Sequence, residues 1–240
     1  MRFYSREIKN DVHRSEDDMS SLRPKFITFD CYGTLTNFGM ARMARDMYAD
    51  RIPADKMEKF VHDFAAYRLD EVLDAWKPYQ EVLKNAVRRT CARWNIGYID
   101  AEAQQYYDAV PTWGPHADVP DALARVAKEY PLVIFSNASD SQIHSNVAML
   151  GAPFHKVFTA EQAQVYKPRL RAFEYMLDNL NCNPEDVLHV SSSLRYDLMP
   201  ANDCNITNTV LVARGHGPST PYYNYHEITD LGGLPGLVGL

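Results

Sequence analysis

The chain of 240 residues is poor in several things, and each shortage excludes something. It has no excess of positive charge: 25 Lys+Arg stand against 31 Asp+Glu, a formal net charge of −6. That field attracts neither nucleic acid nor an anionic membrane, so neither is expected as a partner. No apolar run approaches the roughly 18 residues that a membrane-spanning helix needs. Its four cysteines, Cys31, Cys91, Cys182 and Cys204, are far apart and form no C-x-x-C. This argues against a disulfide framework or a zinc site and fits a reducing cytoplasm. The eight histidines show no H-x-x-x-H spacing, so no metal ligand set is expected. There is no G-x-S-x-G elbow of the esterase kind. Gly215-His216-Gly217 and the glycines of the tail lack the strand-to-helix setting of a dinucleotide fingerprint. Residues 1–22 are dense in charge, lack the apolar stretch of a secretory signal, and read as a solvated N-terminal extension.

What is present suits one large domain, or a domain carrying an insertion: 46% hydrophobic and 23% charged residues supply an ordinary core and surface. There is no internal repeat. Lys25 to Phe29 is a short run of β formers that stops at Asp30-Cys31-Tyr32-Gly33-Thr34, a strand then a turn. From Phe38 to Tyr107 apolar residues recur at helical spacing (Met40, Met43, Met47; Phe60, Phe64, Tyr67; Val82, Ala86, Val87), punctuated by Pro53, Pro78 and Gly97. This predicts three or four helices with no strand. Trp76, Trp94 and the methionines of 40–57 read as their core or as a pocket wall. After Pro111 the alternation resumes, with strands at 132–135, 156–158, 187–190 and 209–212. Helices are predicted from Asp118-Val119-Pro120 to Lys128, from a Ser139/Gln142 capping box to Leu150, over 169–180, and near 197–202. The tail is rich in Gly, Pro and Tyr, and its cluster Tyr222 to His226 reads as C-terminal packing.

Nearly all-apolar strands alternating with helices imply an α/β fold: a Rossmann-like parallel sheet with helices on both faces. The helical block reads as a small all-helical cap inserted after the first strand. The expected division is an extension 1–22, a core of 23–37 and 112–240, and a cap of 38–111.

Three of these strands end in polar residues: Phe29 in Asp30, Phe135 in Ser136-Asn137, Val190 in Ser191-Ser192-Ser193. Ligands of open α/β sheets bind beyond the carboxyl ends of the strands. Each polar terminus alone could be a turn or cap; three in register beside an inserted cap favour a site. Asp30 would be a nucleophile if a cation keeps it ionised, and Lys167, before Pro168, is the candidate cation. Cys31 reads as a small buried hydrophobe, since no partner base accompanies it. His189, within a strand, reads as a satisfied core histidine.

Phe29-Asp30-Cys31-Tyr32-Gly33-Thr34-Leu35, Ser136-Asn137, Tyr166-Lys167-Pro168 and Ser192-Ser193 with Asp197 have the order and spacing of motifs in the haloacid dehalogenase (HAD) superfamily, which the chain resembles from about Lys25 onward. One position selects the branch. HAD phosphatases open with Asp-x-Asp, the second Asp being the general acid, and use Mg²⁺. Here that position is Tyr32, whose phenol, with an ordinary pKa of about 10, is a poor acid. In this the chain resembles the type II (S)-2-haloacid dehalogenases, which need no metal and no other cofactor.

The resemblance implies a hydrolase that converts short (S)-2-haloalkanoic acids into 2-hydroxy acids and halide through an ester on Asp30. Thr34 and Lys167 would hold and aim the nucleophile. Arg68, on a cap helix, and Asn137 would receive the halide. Ser136 and the backbone N–H groups of Cys31 and Tyr32 would bind the substrate carboxylate. Asp197 would orient Lys167 and assist the hydrolytic water, with Ser192 and Ser193 beside it. Partners would be the 2-haloacid and halide alone, and since such enzymes tend to dimerise, a homodimer is open. The chain departs from the better-known enzymes at Leu194, where they have an amide, and at Phe173, where they have a tyrosine. These departures leave three alternatives: azetidine-2-carboxylate ring opening, a Mg²⁺-dependent phosphatase, and a non-catalytic protein on the same scaffold.

Overall fold

In the computed structural model, residues 22–217, 220 and 222–240 are described. The expected extension therefore lies outside the described residues apart from Leu22, whose N–H donates to Leu237 O.

Six strands form one parallel sheet: β1 (Phe26–Phe29), β2 (Leu132–Ser136), β3 (Lys156–Thr159), β4 (Val187–Ser191), β5 (Asn208–Val212) and β6 (His226–Ile228), in the spatial order β3-β2-β1-β4-β5-β6. The chain builds outward from β1 to β3, then returns to β4 on the other side of β1. The switch of direction thus falls between β1 and β4, where open α/β sheets form a crevice.

The period of two in the strands distributes their side chains between two helical layers. Ile27, Phe29, Leu132, Ile134, Leu188 and Val190 pack in a core with α5 (Val119–Val126), α6 (Asp140–Ala148) and α10 (Leu234–Leu237). Val133, Phe135 and Val187 pack on the opposite face with Phe173 and Met176 of α8 (Leu170–Leu180) and Ala201 of α9 (Met199–Asp203). The one-turn α7 (Ala160–Ala163) follows β3, with Thr159 accepting Gln162 N–H at 3.1 Å as its cap.

Between β1 and α5 lie four helices, α1 (Met40–Met47), α2 (Met57–Leu73), α3 (Tyr79–Arg93) and α4 (Asp100–Ala109). They enclose a core of their own, including Tyr48, Phe60, Phe64, Leu83 and Tyr106. The fold is therefore the expected one: a Rossmann-like α/β sheet covered on both faces, with an all-helical cap inserted after the first strand.

Four details differ. The tail, expected only to pack, adds β6 to the sheet edge, a short 3-10 turn and α10. Tyr222 within it is 84% exposed and rests on Tyr223. The Ser139/Gln142 capping box does not form: Ser139 Oγ donates to Gln142 Oε1 at 3.1 Å, and Gln142 Nε2 reaches Tyr107 O of the cap. The helix expected near 197–202 begins as a π turn, Leu194–Leu198, closed by Leu198 N–H to Ser193 O at 3.2 Å, and becomes α-helical only at Met199. Pro200, at the first turn of α9, has no N–H to continue the preceding ladder.

Candidate active site

Asp30 is the first residue beyond β1, and its N–H is tied to Val190 O of β4 at 3.1 Å. Next comes a tight turn closed by the N–H groups of Gly33, Leu35 and Thr36. Gly33 has φ +94°, a conformation that a Cβ makes costly. The turn brings Thr34 back over the strand end, where its hydroxyl donates to Asp30 Oδ2 at 2.7 Å. Thr34 Oγ1 also accepts Ser192 N–H at 2.9 Å and lies 3.0 Å from Ser192 Oγ, so Ser192 backs the nucleophile loop.

The Lys167 ammonium, 1% exposed, meets Asp30 Oδ1 at 3.0 Å, Asp197 Oδ1 at 2.6 Å and Phe135 O at 2.8 Å. Its three donors are thereby committed. Its backbone is clamped by the side chain of Asn137, which accepts Lys167 N–H at 2.7 Å and donates to Lys167 O at 2.8 Å. The π turn delivers Asp197 from the other side; Ser193 Oγ accepts Tyr196 N–H at 3.1 Å as its cap. A strand-end carboxylate, a loop lysine and a π-turn carboxylate, far apart in the chain, thus meet at the mouth of the β1–β4 crevice.

The electrostatics follow from burial. Removal from water pushes the Asp30 carboxyl above the ordinary aspartate range; Lys167 opposes this and Asp197 adds to it. Burial acts on Asp197 likewise, but Lys167 and His189 outweigh it and hold that carboxyl below the usual range. Burial alone would depress the Lys167 ammonium, yet the two carboxylates hold its pKa above 10.5. Burial also raises the Cys31 thiol, with the Asp30 charge adding to the effect, and Cys31 sits in the core below the sheet edge. It is buried, as expected.

Above these groups lies a cavity of about 160 Å³ between sheet and cap. Asp30, Tyr32, Arg68, Ser136, Asn137, Lys167, Ser193 and Asp197 all line it. Eight of the eleven expected site residues are thereby brought together; Thr34 and Ser192 stand behind Asp30, and Cys31 is packed in the core and is not among the lining residues. Burial pushes the Tyr32 phenol upward, so it is a neutral donor; it gives its hydrogen to Asn146 Oδ1 at 3.1 Å. Arg68, from α2, holds its guanidinium against two rings, 5.2 Å from the centroid of Phe38 and 5.0 Å from that of Phe64. Arg68 Nε, Ser136 Oγ and Asp197 Oδ2 are buried with no hydrogen-bond partner among the described residues. Three orphaned polar atoms on residues that line one cavity mark a place where a polar ligand completes the structure.

Of the two departures, Phe173 is fully buried and packs edge-on against Phe135 and His189, with centroids 5.0 and 5.8 Å away. Leu194 is half-buried where the π turn starts. One member of the site was assigned only to the core. His189 is indeed buried and satisfied, but its partner is Asp197, with Nε2 3.1 Å from Oδ1. The available signal was register: Thr28 and His189 are polar residues in apolar strands, and they stand opposite each other in the β1–β4 pair.

A doubly wound α/β sheet with a helical cap, and an ionisable cavity at its switch point, define the class of protein. The chain belongs to the haloacid dehalogenase-like hydrolases, whose profile matches residues 24–205. An (S)-2-haloacid dehalogenase of Pseudomonas fluorescens is 26% identical to it over 175 residues, 69% of this chain and 74% of the relative. The L-2-haloacid dehalogenase from Xanthobacter autotrophicus, solved with chloropropionic acid covalently bound, superposes with a TM-score of 0.73 at 21% identity, covering 90% of this chain and 98% of that one. A magnesium-bound HAD hydrolase, YfnB from Bacillus subtilis, superposes with a TM-score of 0.76 at 16% identity, covering 91% and 100%. At these identities the solved structures establish the fold.

The residues here do not fit a magnesium ion. Oδ1 of both carboxylates is taken by the Lys167 ammonium, Asp30 Oδ2 accepts from Thr34, and Asp197 Oδ1 lies against His189 as well. A divalent ion would have to displace a buried cation from between them and would find too few oxygen ligands.

Proposed function

We propose that this protein hydrolyses short (S)-2-haloalkanoic acids to 2-hydroxy acids and halide, through a transient ester on Asp30. The observation that carries this reading is the buried Asp30 carboxylate held between Lys167 and Thr34, with the phenol of Tyr32 two residues on where a phosphatase would need a carboxylic acid. The name of the Pseudomonas fluorescens relative supports it.

In the first step an Asp30 oxygen attacks Cα. The carbon–halogen bond breaks, the halide leaves with the electron pair, and the carbon inverts. No proton is needed, so a neutral Tyr32 is no handicap. Arg68, cationic and bedded between Phe38 and Phe64, would receive the halide, assisted by Asn137 of the same cavity lining. Ser136 Oγ, without a partner, and the backbone N–H groups of Cys31 and Tyr32 would hold the substrate carboxylate. In the second step water attacks the Asp30 carboxyl carbon and gives a proton toward Asp197, and the alcohol oxygen leaves with the product. Splitting one displacement into two steps is the gain of covalent catalysis. The thiols of Cys31, Cys91, Cys182 and Cys204 are unpaired, and we assign the protein to the cytoplasm on that basis.

The test is halide release from (S)-2-chloropropionate in the presence of a chelator. The expected result is chloride and (R)-lactate at a rate indifferent to added magnesium. No halide from any haloacid offered to the folded protein would overturn the reading. Turnover of p-nitrophenyl phosphate that requires magnesium would replace it with the phosphatase alternative.

A further inference from the structure

We propose that His189 is a positioning residue for ester hydrolysis: it holds Asp197 ready for the hydrolytic water and bears little on the alkylation of Asp30. The proposal rests on the Asp30 ester reading.

The geometry is a buried chain of hydrogen bonds running across the sheet. Thr28 Oγ1 lies 2.8 Å from His189 Nδ1, His189 Nε2 lies 3.1 Å from Asp197 Oδ1, and Asp197 Oδ1 accepts Lys167 Nζ at 2.6 Å. Thr28, His189 and Asp197 have no solvent exposure. An ionised carboxylate only accepts, so the hydrogen between His189 and Asp197 sits on Nε2. In the neutral ring Nδ1 then accepts the Thr28 hydroxyl hydrogen. Thr28 and His189 face each other in the β1–β4 register, so two strands fix the ring before any substrate arrives. Phe135 and Phe173 pack on it edge-on, with centroids 6.1 and 5.8 Å away. The charged group that meets it is Asp197, which links it to Lys167 and, through Lys167, to Asp30.

Lys167 and His189 share one oxygen, Oδ1. The other oxygen of Asp197, Oδ2, has no partner among the described residues, though the residue lines the cavity. An unshared carboxylate oxygen beside a reacting centre is what a hydrolytic water needs as its proton acceptor. The two steps make different demands on this arrangement. During alkylation Asp30 is an anion, Lys167 is drawn to both carboxylates, and no proton moves. Once Asp30 has become a neutral ester, Asp197 is the sole buried anion beside Lys167. It must then take a proton from water as the water oxygen attacks the Asp30 carboxyl carbon. That proton goes on to the alkoxy oxygen as its bond to the Asp30 carbon breaks. A second donor on Oδ1, anchored in β4, keeps the carboxylate from swinging to lay both oxygens on the ammonium.

The experiment compares wild type with His189→Leu, His189→Asn and His189→Gln. Single-turnover halide release reads the first step, and intact-protein mass spectrometry reads ester on Asp30. Leucine removes the donor, and the amide of asparagine stops at the Nδ1 position. Both variants should release a stoichiometric burst of halide at near wild-type rate, accumulate the ester, and lose kcat by about 10- to 100-fold, the worth of a hydrogen bond to a charged group. Glutamine presents an N–H near the Nε2 position and should restore the wild-type balance of the two steps. If the leucine variant does not fold, the asparagine–glutamine contrast decides. An unchanged kcat without accumulation, or equal slowing of both steps in all three variants, overturns the role. No halide release by the wild type, together with no ester on Asp30 in any of the four proteins, overturns the Asp30 reading and this role with it, and so distinguishes the two failures.

Discussion

Asp30 is a carboxylate that burial wants protonated and chemistry wants ionised. Because its pKa is raised, turnover should be lost as pH falls through a value above the ordinary 3.8. The alkaline loss that comes from discharging Lys167 should have its midpoint above 10.5. A pH profile of kcat/KM for halide release checks both limbs; an acid limb at or below 3.8 would contradict the burial argument. The same shift has a consequence for stability. A carboxyl whose pKa is raised in the folded state binds its proton more tightly there than in the unfolded chain, so its ionised form weakens the fold at neutral pH. Asp30→Asn should therefore abolish halide release and raise the melting temperature together, as a nucleophile held at the expense of stability predicts. Calorimetry on the two proteins decides it. Asp30 and Lys167 were legible in the sequence because each is polar where an apolar strand stops or a loop turns, and Asp197 was legible only through the resemblance of its motif. His189 was not, because a lone polar residue inside a strand looks the same whether it merely satisfies its neighbours or steers a carboxylate.

At the scale of elements, the site depends on two loops whose backbones are held by side chains. Asn137, after β2, binds both N–H and C=O of Lys167, and so sets the height at which the ammonium enters the crevice. Asn137→Ala should lower stability by about 2 kcal/mol for two lost hydrogen bonds to buried backbone. It should lower kcat about tenfold or more, with the larger effect on turnover, because Lys167 keeps its charge and loses its place. Urea unfolding and halide kinetics on one preparation measure both. Five of the six strands and a block of three or four cap helices followed from periodicity and strand-end residues, and the order of the motifs from the resemblance. The π turn did not, because its i to i−5 bond depends on where Asp197 must reach and not on the local pattern. Strand β6 was hidden because three residues, His226–Ile228, give too short a run to show alternation.

At the scale of the whole molecule, cap and core must meet for the cavity to exist, since Arg68 comes from one and Asp30 from the other. Polar and apolar contacts join them: Tyr166 Oη donates to Lys77 O at 2.8 Å, Arg169 to Leu73 O, Asn146 Nδ2 to Val110 O at 2.8 Å and Gln142 Nε2 to Tyr107 O, while Ala160 and Tyr166 pack into the apolar core of the cap. None of these pairs was readable beforehand, because nothing in the local sequence announces a partner tens of residues away. A second long-range tie closes the core behind the nucleophile loop. Arg214, just beyond β5, grips Asp118 at the start of α5 with two bonds of 2.9 and 2.7 Å, and its Nε donates to Thr34 O at 3.2 Å. Leu231 N–H adds a bond of 2.7 Å to the same carboxylate. One side chain thus binds α5, the β5 end and the C-terminal segment. Burial would raise the Asp118 carboxyl, but Arg214 and the backbone N–H groups outweigh it and bring its pKa to about 2. A depressed carboxyl contributes stability that is fully present above its unfolded value of 3.8 and disappears as pH falls through about 2. Allowing for solvent screening of a partly open pair, that contribution is about 1–2 kcal/mol. Asp118→Asn should lose this amount at neutral pH by urea titration. Its stability should then fall less steeply than wild type between pH 4 and pH 2, so that the two curves converge in acid. Parallel curves across that window would mean that Asp118 holds the C-terminal segment by shape alone and that its charge contributes nothing.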